Sequence, residues 1–231
     1  NTNGCLYAPT NANEEILCAW KDTAEWDVVR EGLKKDALII EDVSKKTGVS
    51  ARMVVAAVMP EQIRFFTSNR ESFKRYFEPM KLLGSMSQFS LGVSGIKQET
   101  ANDIEKYASD PNSLFYPGEG IDELLKYQDG VNHNTELYKR LTDEQNHYYS
   151  YLYTAVYLKE VESQWRDAGF EVSDRPDVLV TLFNLGFKAS SPKPDPRVAG
   201  SVMSVGGKNY SFGQLGTSFY NSNELIDVFP N

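Results

Sequence analysis

The residue best placed to do chemistry in this sequence is Glu61, one proline beyond the apolar run Met53–Met59. A carboxyl at the end of a buried helix sits among apolar neighbours, which disfavour its charged form and raise its pKa. Glycosidic cleavage needs such a protonated acid to donate to the leaving oxygen near neutral pH. On that fragment alone an exposed helix-end carboxylate is the plainer reading. Metal chemistry has less to work with. Cys5 and Cys18 lie near the N-terminus, His133 and His147 far away, and no pair has zinc-ligand spacing. No metal and no cofactor is expected. Cys5 and Cys18 either form a disulfide that staples the N-terminal segment or remain free thiols.

The elements that must position Glu61 read as helices. Asp22 with Glu25 has a capping-box pattern, followed by Trp26, Val29 and Leu33 at helical spacing. Asp42–Lys46 and Ala51–Met59 read as two helices broken by Gly48, with Pro60 ending or kinking the second near Met59. Gly84–Gly95 reads as a loop. Thr100 with Asp103 should start a helix through about Ala108, and a short helix is expected at Ile121–Tyr127. Thr142 with Gln145 should open the longest helix, to about Ala168, stopped by Gly169. Asp174 and Pro176 open another, to Leu185. After a strap at Ala189–Pro196, Val202–Val205 and Asn209–Phe212 flank Gly206-Gly207 as a hairpin, and Gln214–Phe229 holds a last short helix. The expected fold is mainly α: an N-terminal segment (1–20), a helical domain (21–187) and a C-terminal annex with a β-hairpin (188–231).

Composition narrows the function classes. The 231 residues carry 24 basic and 32 acidic side chains, a net charge of −8, and 13 Tyr, 12 Phe and 3 Trp supply core material. The longest clean apolar stretch, Met53–Met59, is far short of the roughly 20 residues that cross a bilayer. The acidic balance argues against nucleic acid as a partner. The chain starts at Asn, which a cleaved export signal or a shortened chain would both give.

Residues 40–54 nonetheless resemble the helix-turn-helix of bacterial repressors: an apolar first helix, the Gly48 turn, then Ser50 capping a second helix. A recognition helix must offer polar side chains to bases and phosphates. Here only Arg52 does so, and the surrounding Val54–Val58 means burial. DNA regulation is therefore the weakest of the readings.

Four fragments in order resemble the superfamily of lytic transglycosylases and goose-type lysozymes, which cleave bacterial peptidoglycan. Glu61 follows an apolar run, with Gln62 where the family has Ser. The segment Ser90–Ala101 keeps the spacing of the family's Gly-rich loop and its Gln-Ile-x-Pro-x-Thr-Ala helix start, with Gly95 in place of Gln and Gln98 in place of Pro. Tyr157-Leu158 matches a Tyr-Leu pair, and Phe183-Asn184-Leu185-Gly186 matches Tyr-Asn-x-Gly with Phe for Tyr. The resemblance spans about residues 36–187.

The resemblance implies a lysozyme-like domain that cuts between N-acetylmuramic acid and N-acetylglucosamine. Glu61 would act as acid and then as base, activating the muramic acid's own hydroxyl to give a 1,6-anhydro product. Ser90, Gly92 and Gly95 would line the sugar groove and Gln98 would replace a missing amide. Tyr149 and Tyr157 would stack on sugars, whereas Tyr148 and Tyr151 fit the core. Asn184 would bond an acetamido group or brace Glu61, or simply cap its helix. If the enzyme is instead a hydrolase, Glu71, Glu78, Glu99 and Asp103 are candidate second carboxylates. The implied partner is the peptidoglycan glycan strand and the implied location the periplasm or cell envelope. A non-catalytic cell-wall glycan-binding protein of the same fold is the alternative. Because the wall's peptides carry carboxylates, the acidic surface is expected to lie away from the groove.

Overall fold

The computed structural model describes residues 14–68, 93–143 and 145–231. Among these the chain is mainly helical, with one two-stranded antiparallel hairpin near the C-terminus. A 3-10 turn at Glu14–Asp22 leads into α1 (Ala24–Lys35). Its cap is Thr23, whose side chain accepts from the Trp26 N–H, rather than the expected Asp22. Trp26, Val29 and Leu33 are buried, as their spacing requires. Helix α2 (Ala37–Thr47) is longer than expected and ends at Gly48, whose φ of +76° suits glycine.

Helix α3 (Ala51–Ser68) runs on through Pro60, where an end or a kink was expected near Met59; it does not end there. Proline there removes the bond to the Ala56 carbonyl one turn back. That carbonyl meets Gly216 instead: a Cβ on Gly216 would stand 2.4 Å from the Ala56 oxygen, so only glycine lets the two backbones approach this closely. Packing on both sides overrides the local penalty, since every residue from Arg52 to Ile63 is buried.

Helix α4 (Gln98–Ala108) starts two residues ahead of the expected Thr100 box. Helix α5 (Ile121–Leu125) is shorter than expected, and α6 (His133–Thr142) was not anticipated. Thr142 thus ends a helix rather than opening one. Asp143 takes the N–H groups of Gln145 and Asn146, and α7 (Tyr148–Asp167) begins beyond them. Helix α7 is buried on all sides from Ser150 to Leu158, which makes it the axis of the fold. Helix α8 (Pro176–Leu185) follows the Gly169 stop. Strands β1 (Val202–Val205) and β2 (Lys208–Ser211) pair across Gly206 and Gly207, whose positive φ values of 58° and 74° make the tight turn. Helix α9 (Phe212–Tyr220) is closed by a capping box between Ser211 and Gln214.

The C-terminal residues enter the same core as the rest. Phe212, Leu215, Phe219 and Phe229 share one buried cluster with Trp20, Trp26, Val54 and Tyr157. Arg52 ties the two together. It is fully buried, and its guanidinium donates to the carbonyls of Phe219, Tyr220, Ser222, Glu224 and Phe229. The side chain that a DNA-reading helix would have needed on its surface is thus the clasp of the C-terminal segment. Among the described residues no helix is long and apolar enough to cross a membrane.

Candidate active site

Helix α3 delivers Glu61 to the wall of a cleft of about 310 Å³. The described lining includes Ser94, Gly95, Lys97, Tyr157, Asn184 and, from the C-terminal segment, Ser201. The carboxyl is buried, with only 7% of the residue exposed. Burial pushes its pKa above the ordinary carboxylate value, against the opposing pull of Arg64 one turn on, which donates to Oε1. Burial is the larger effect, so the proton is held more tightly than in water.

The loop before α4 is pressed directly onto this acid. Gly95 has a φ of +66°, and a Cβ there would lie 2.6 Å from the Glu61 Cγ and 2.7 Å from Oε1. The missing side chain of Gly95 is therefore what admits the acid. Gln62 holds the loop in place, its amide donating to the Val93 carbonyl. Gln62 thus has a defined task here.

The far wall is aromatic and amide. Tyr157 is buried and donates to the Leu182 carbonyl (2.7 Å), with its ring edge-on to Phe183 at 5.5 Å. Its hydroxyl is committed, so the ring is a wall rather than an exposed stacking platform. The Asn184 side-chain oxygen accepts from the Ser201 N–H (2.7 Å) and hydroxyl (3.2 Å). The Ser201 N–H can only donate, so the amide's oxygen is the atom that faces Ser201. Asn184 braces the C-terminal segment at Ser201, and among the described residues no hydrogen bond joins it to Glu61.

The structure brings Glu61, Gly95, Tyr157 and Asn184 to one cleft and leaves two of the expected residues elsewhere. Gln98 bonds Asn134 (3.4 Å) and does not line the cleft. Tyr149 lies under the Arg140 guanidinium, 4.2 Å from its ring centre. Ser90, Gly92, Glu71 and Glu78 lie outside the described residues. Among the described residues Glu61 is the one carboxylate lining the cleft; Glu99 and Asp103 do not reach it.

Sequence reasoning missed Arg64, Ser94, Lys97 and Ser201. Arg64 was legible as the i+3 neighbour of Glu61; the others depend on the fold. It also missed two polar clusters. His147 Nδ1 lies 2.6 Å from Asp36 Oδ2, which accepts from Tyr151 as well, behind Gln62 and Val93. Glu105 takes bonds from Tyr127 and Tyr153 and pairs with His133. Among the described residues no group of three or more His, Cys, Asp or Glu could hold a metal ion. Cys18 is disulfide-bonded, and Cys5, the other cysteine, lies outside the described residues.

No protein-family model, curated protein or solved structure matches this chain.

Proposed function

We propose that this chain is a peptidoglycan-cleaving enzyme of the lytic transglycosylase kind, with Glu61 as its single acid and base. The observation that carries the reading is the buried Glu61 carboxyl, its pKa raised by burial, opening into a cleft shared with Gly95 and Asn184. The neutral carboxyl donates its proton to the oxygen between muramic acid and glucosamine as the bond breaks. The resulting carboxylate then takes the proton of the muramic acid's own hydroxyl, which closes the 1,6-anhydro ring and returns the acid to its starting state. Arg64 stabilises the carboxylate between these steps, when a charge has formed in a buried place. The absence of a second carboxylate along the described lining suits a mechanism that needs only one. The disulfide at Cys18 suits the exported location the activity requires.

The test is digestion of purified sacculi, with products read by mass spectrometry. Anhydro-muropeptides that vanish in Glu61→Gln are the expected result. Ordinary reducing ends would make the protein a hydrolase.

A second reading has its own observation. The Arg64–Glu61 pair favours the ionised carboxylate, which suits a glycan-binding protein without catalysis. Saturable binding to sacculi with no soluble products, in wild type and Glu61→Gln alike, would establish it.

A further inference from the structure

One stretch of the cleft wall is suited to negative charge. Helix α4 begins at Gln98, and its N-cap residue Lys97 makes no side-chain bond to the first turn. The N–H groups at such a helix end carry partial positive charge and favour an anion. Ser94 supplies an independent observation. It lines the same cleft, is 2% exposed, and its hydroxyl has no hydrogen-bond partner among the described residues. A buried hydroxyl without a partner is costly, and an acceptor atom brought by a ligand relieves that cost. Lys97 lines the cleft too, is exposed, and forms no ion pair among the described residues. Counting Arg64, the described lining holds two cations against the single carboxyl of Glu61, in a chain of net charge −8. Glu99, in the first turn of α4, is exposed and does not line the cleft.

We propose that Ser94, Lys97 and the first turn of α4 form a carboxylate-binding subsite beside Glu61, which selects glycan strands bearing carboxylates over neutral ones. The inference rests on the reading of the cleft as a glycan site. Lys97 attracts the anion, while the Ser94 hydroxyl and the N–H of Thr100, the residue of the first turn that lines the cleft, bond its oxygens. In peptidoglycan such a carboxylate comes from the lactyl group of a strand without peptides or from the peptide stem itself.

The experiment measures Kd by fluorescence anisotropy, with the whole chain carrying Glu61→Gln so that the ligand persists. The labelled probes are oligosaccharide strands with free lactyl carboxylates, the same strands with those groups amidated, and strands bearing peptide stems. Charged strands should bind roughly tenfold more tightly than amidated ones at low salt, the scale of one charge-assisted contact. The preference should shrink as salt rises. Adding Lys97→Gln should abolish it and Lys97→Arg should retain it, with thermal melting unchanged in both. Ser94→Ala should weaken charged strands several-fold and leave amidated ones alone. Whether peptide-free or peptide-bearing strands bind best identifies the source of the carboxylate. Equal affinity for charged and amidated strands, a preference that survives Lys97→Gln, or no binding to any strand would overturn the proposal. Sacculus cleavage by the wild type alongside charge-blind binding would remove this subsite and leave the enzyme reading standing.

Discussion

Gly95 lies so close to Glu61 that a methyl group on it would stand 2.6 Å from the acid's Cγ. The loop backbone therefore forms one side of the pocket that holds the carboxyl and raises its pKa.

Gly95→Ala should damage both the fold and the proposed chemistry. Alanine at φ +66° costs about 1–2 kcal/mol, before any overlap with Glu61 is counted. The acid must then swing away, and a displacement of about 1 Å can cost on the order of a hundredfold in rate. Thermal unfolding should fall by several degrees, and release of muropeptides should drop at least tenfold relative to wild type. A variant with unchanged melting and unchanged turnover would show that the contact is not needed.

Arg52 should be among the least replaceable residues in the chain. It satisfies five carbonyls, two of them, Phe219 and Tyr220, at the C-terminal end of α9, where a cation is favoured. Arg52→Ala leaves those acceptors buried and should cost about 3–5 kcal/mol in denaturant unfolding. Arg52→Lys keeps the charge but offers three donors in place of five, so its loss should be intermediate. A lysine variant as stable as wild type would mean that charge alone, not the fork geometry, holds the C-terminus.

The sequence signalled local structure well and long-range pairing poorly. Trp26, Val29 and Leu33 announced the buried face of α1, and Gly206-Gly207 announced the hairpin, because each signal is complete within a few residues. The capping pattern at Thr142 misled, since Asp143 offers the Gln145 N–H a competing acceptor. Helix α6 escaped because it is mostly polar, with a buried face reduced to Leu137, Arg140 and Leu141. At the site, Glu61 and Gly95 could be read from a motif order, yet Ser201 could not, as it reaches Asn184 from 17 residues away through a strap with no pattern of its own. The pairing of Asp36 with His147 spans 111 residues and leaves no trace in spacing.

Helix α3 continues through Pro60 because α9 packs against the carbonyl that the proline abandons. Gly216→Ala would place its methyl 2.4 Å from the Ala56 oxygen and 2.6 Å from Val180 Cγ1. Alanine gains up to ~1 kcal/mol of helix propensity over glycine, but the overlap with the Ala56 oxygen is with backbone and cannot relax by a rotamer change. A net loss of about 1–3 kcal/mol is expected, the usual cost of overpacking a core. Equal or greater stability in Gly216→Ala would show that α9 can slide along α3.

Glu160 gives the fold a pH dependence that a substitution can remove. It lies fully buried on α7, and neither carboxyl oxygen has a hydrogen-bond partner among the described residues. Burial, reinforced by the nearby Asp103, pushes its pKa well above the usual carboxylate range; the hydroxyls of Tyr107 and Tyr157 are the other titratable groups that feel it. An acid whose folded pKa is raised binds more protons in the native than in the unfolded state. Its contribution is intact below the unfolded value, near 4.5, and stability is lost as the pH rises from there through the folded value. Glu61 adds to the same slope, since its pKa is also raised. Glu160→Met removes the buried carboxyl while filling a similar volume. It should be more stable than wild type by about 1–3 kcal/mol at pH 7.5, with a much smaller difference at pH 4.5. Urea unfolding at the two pH values measures this directly. The same stability difference at both would mean that folding does not raise the Glu160 pKa.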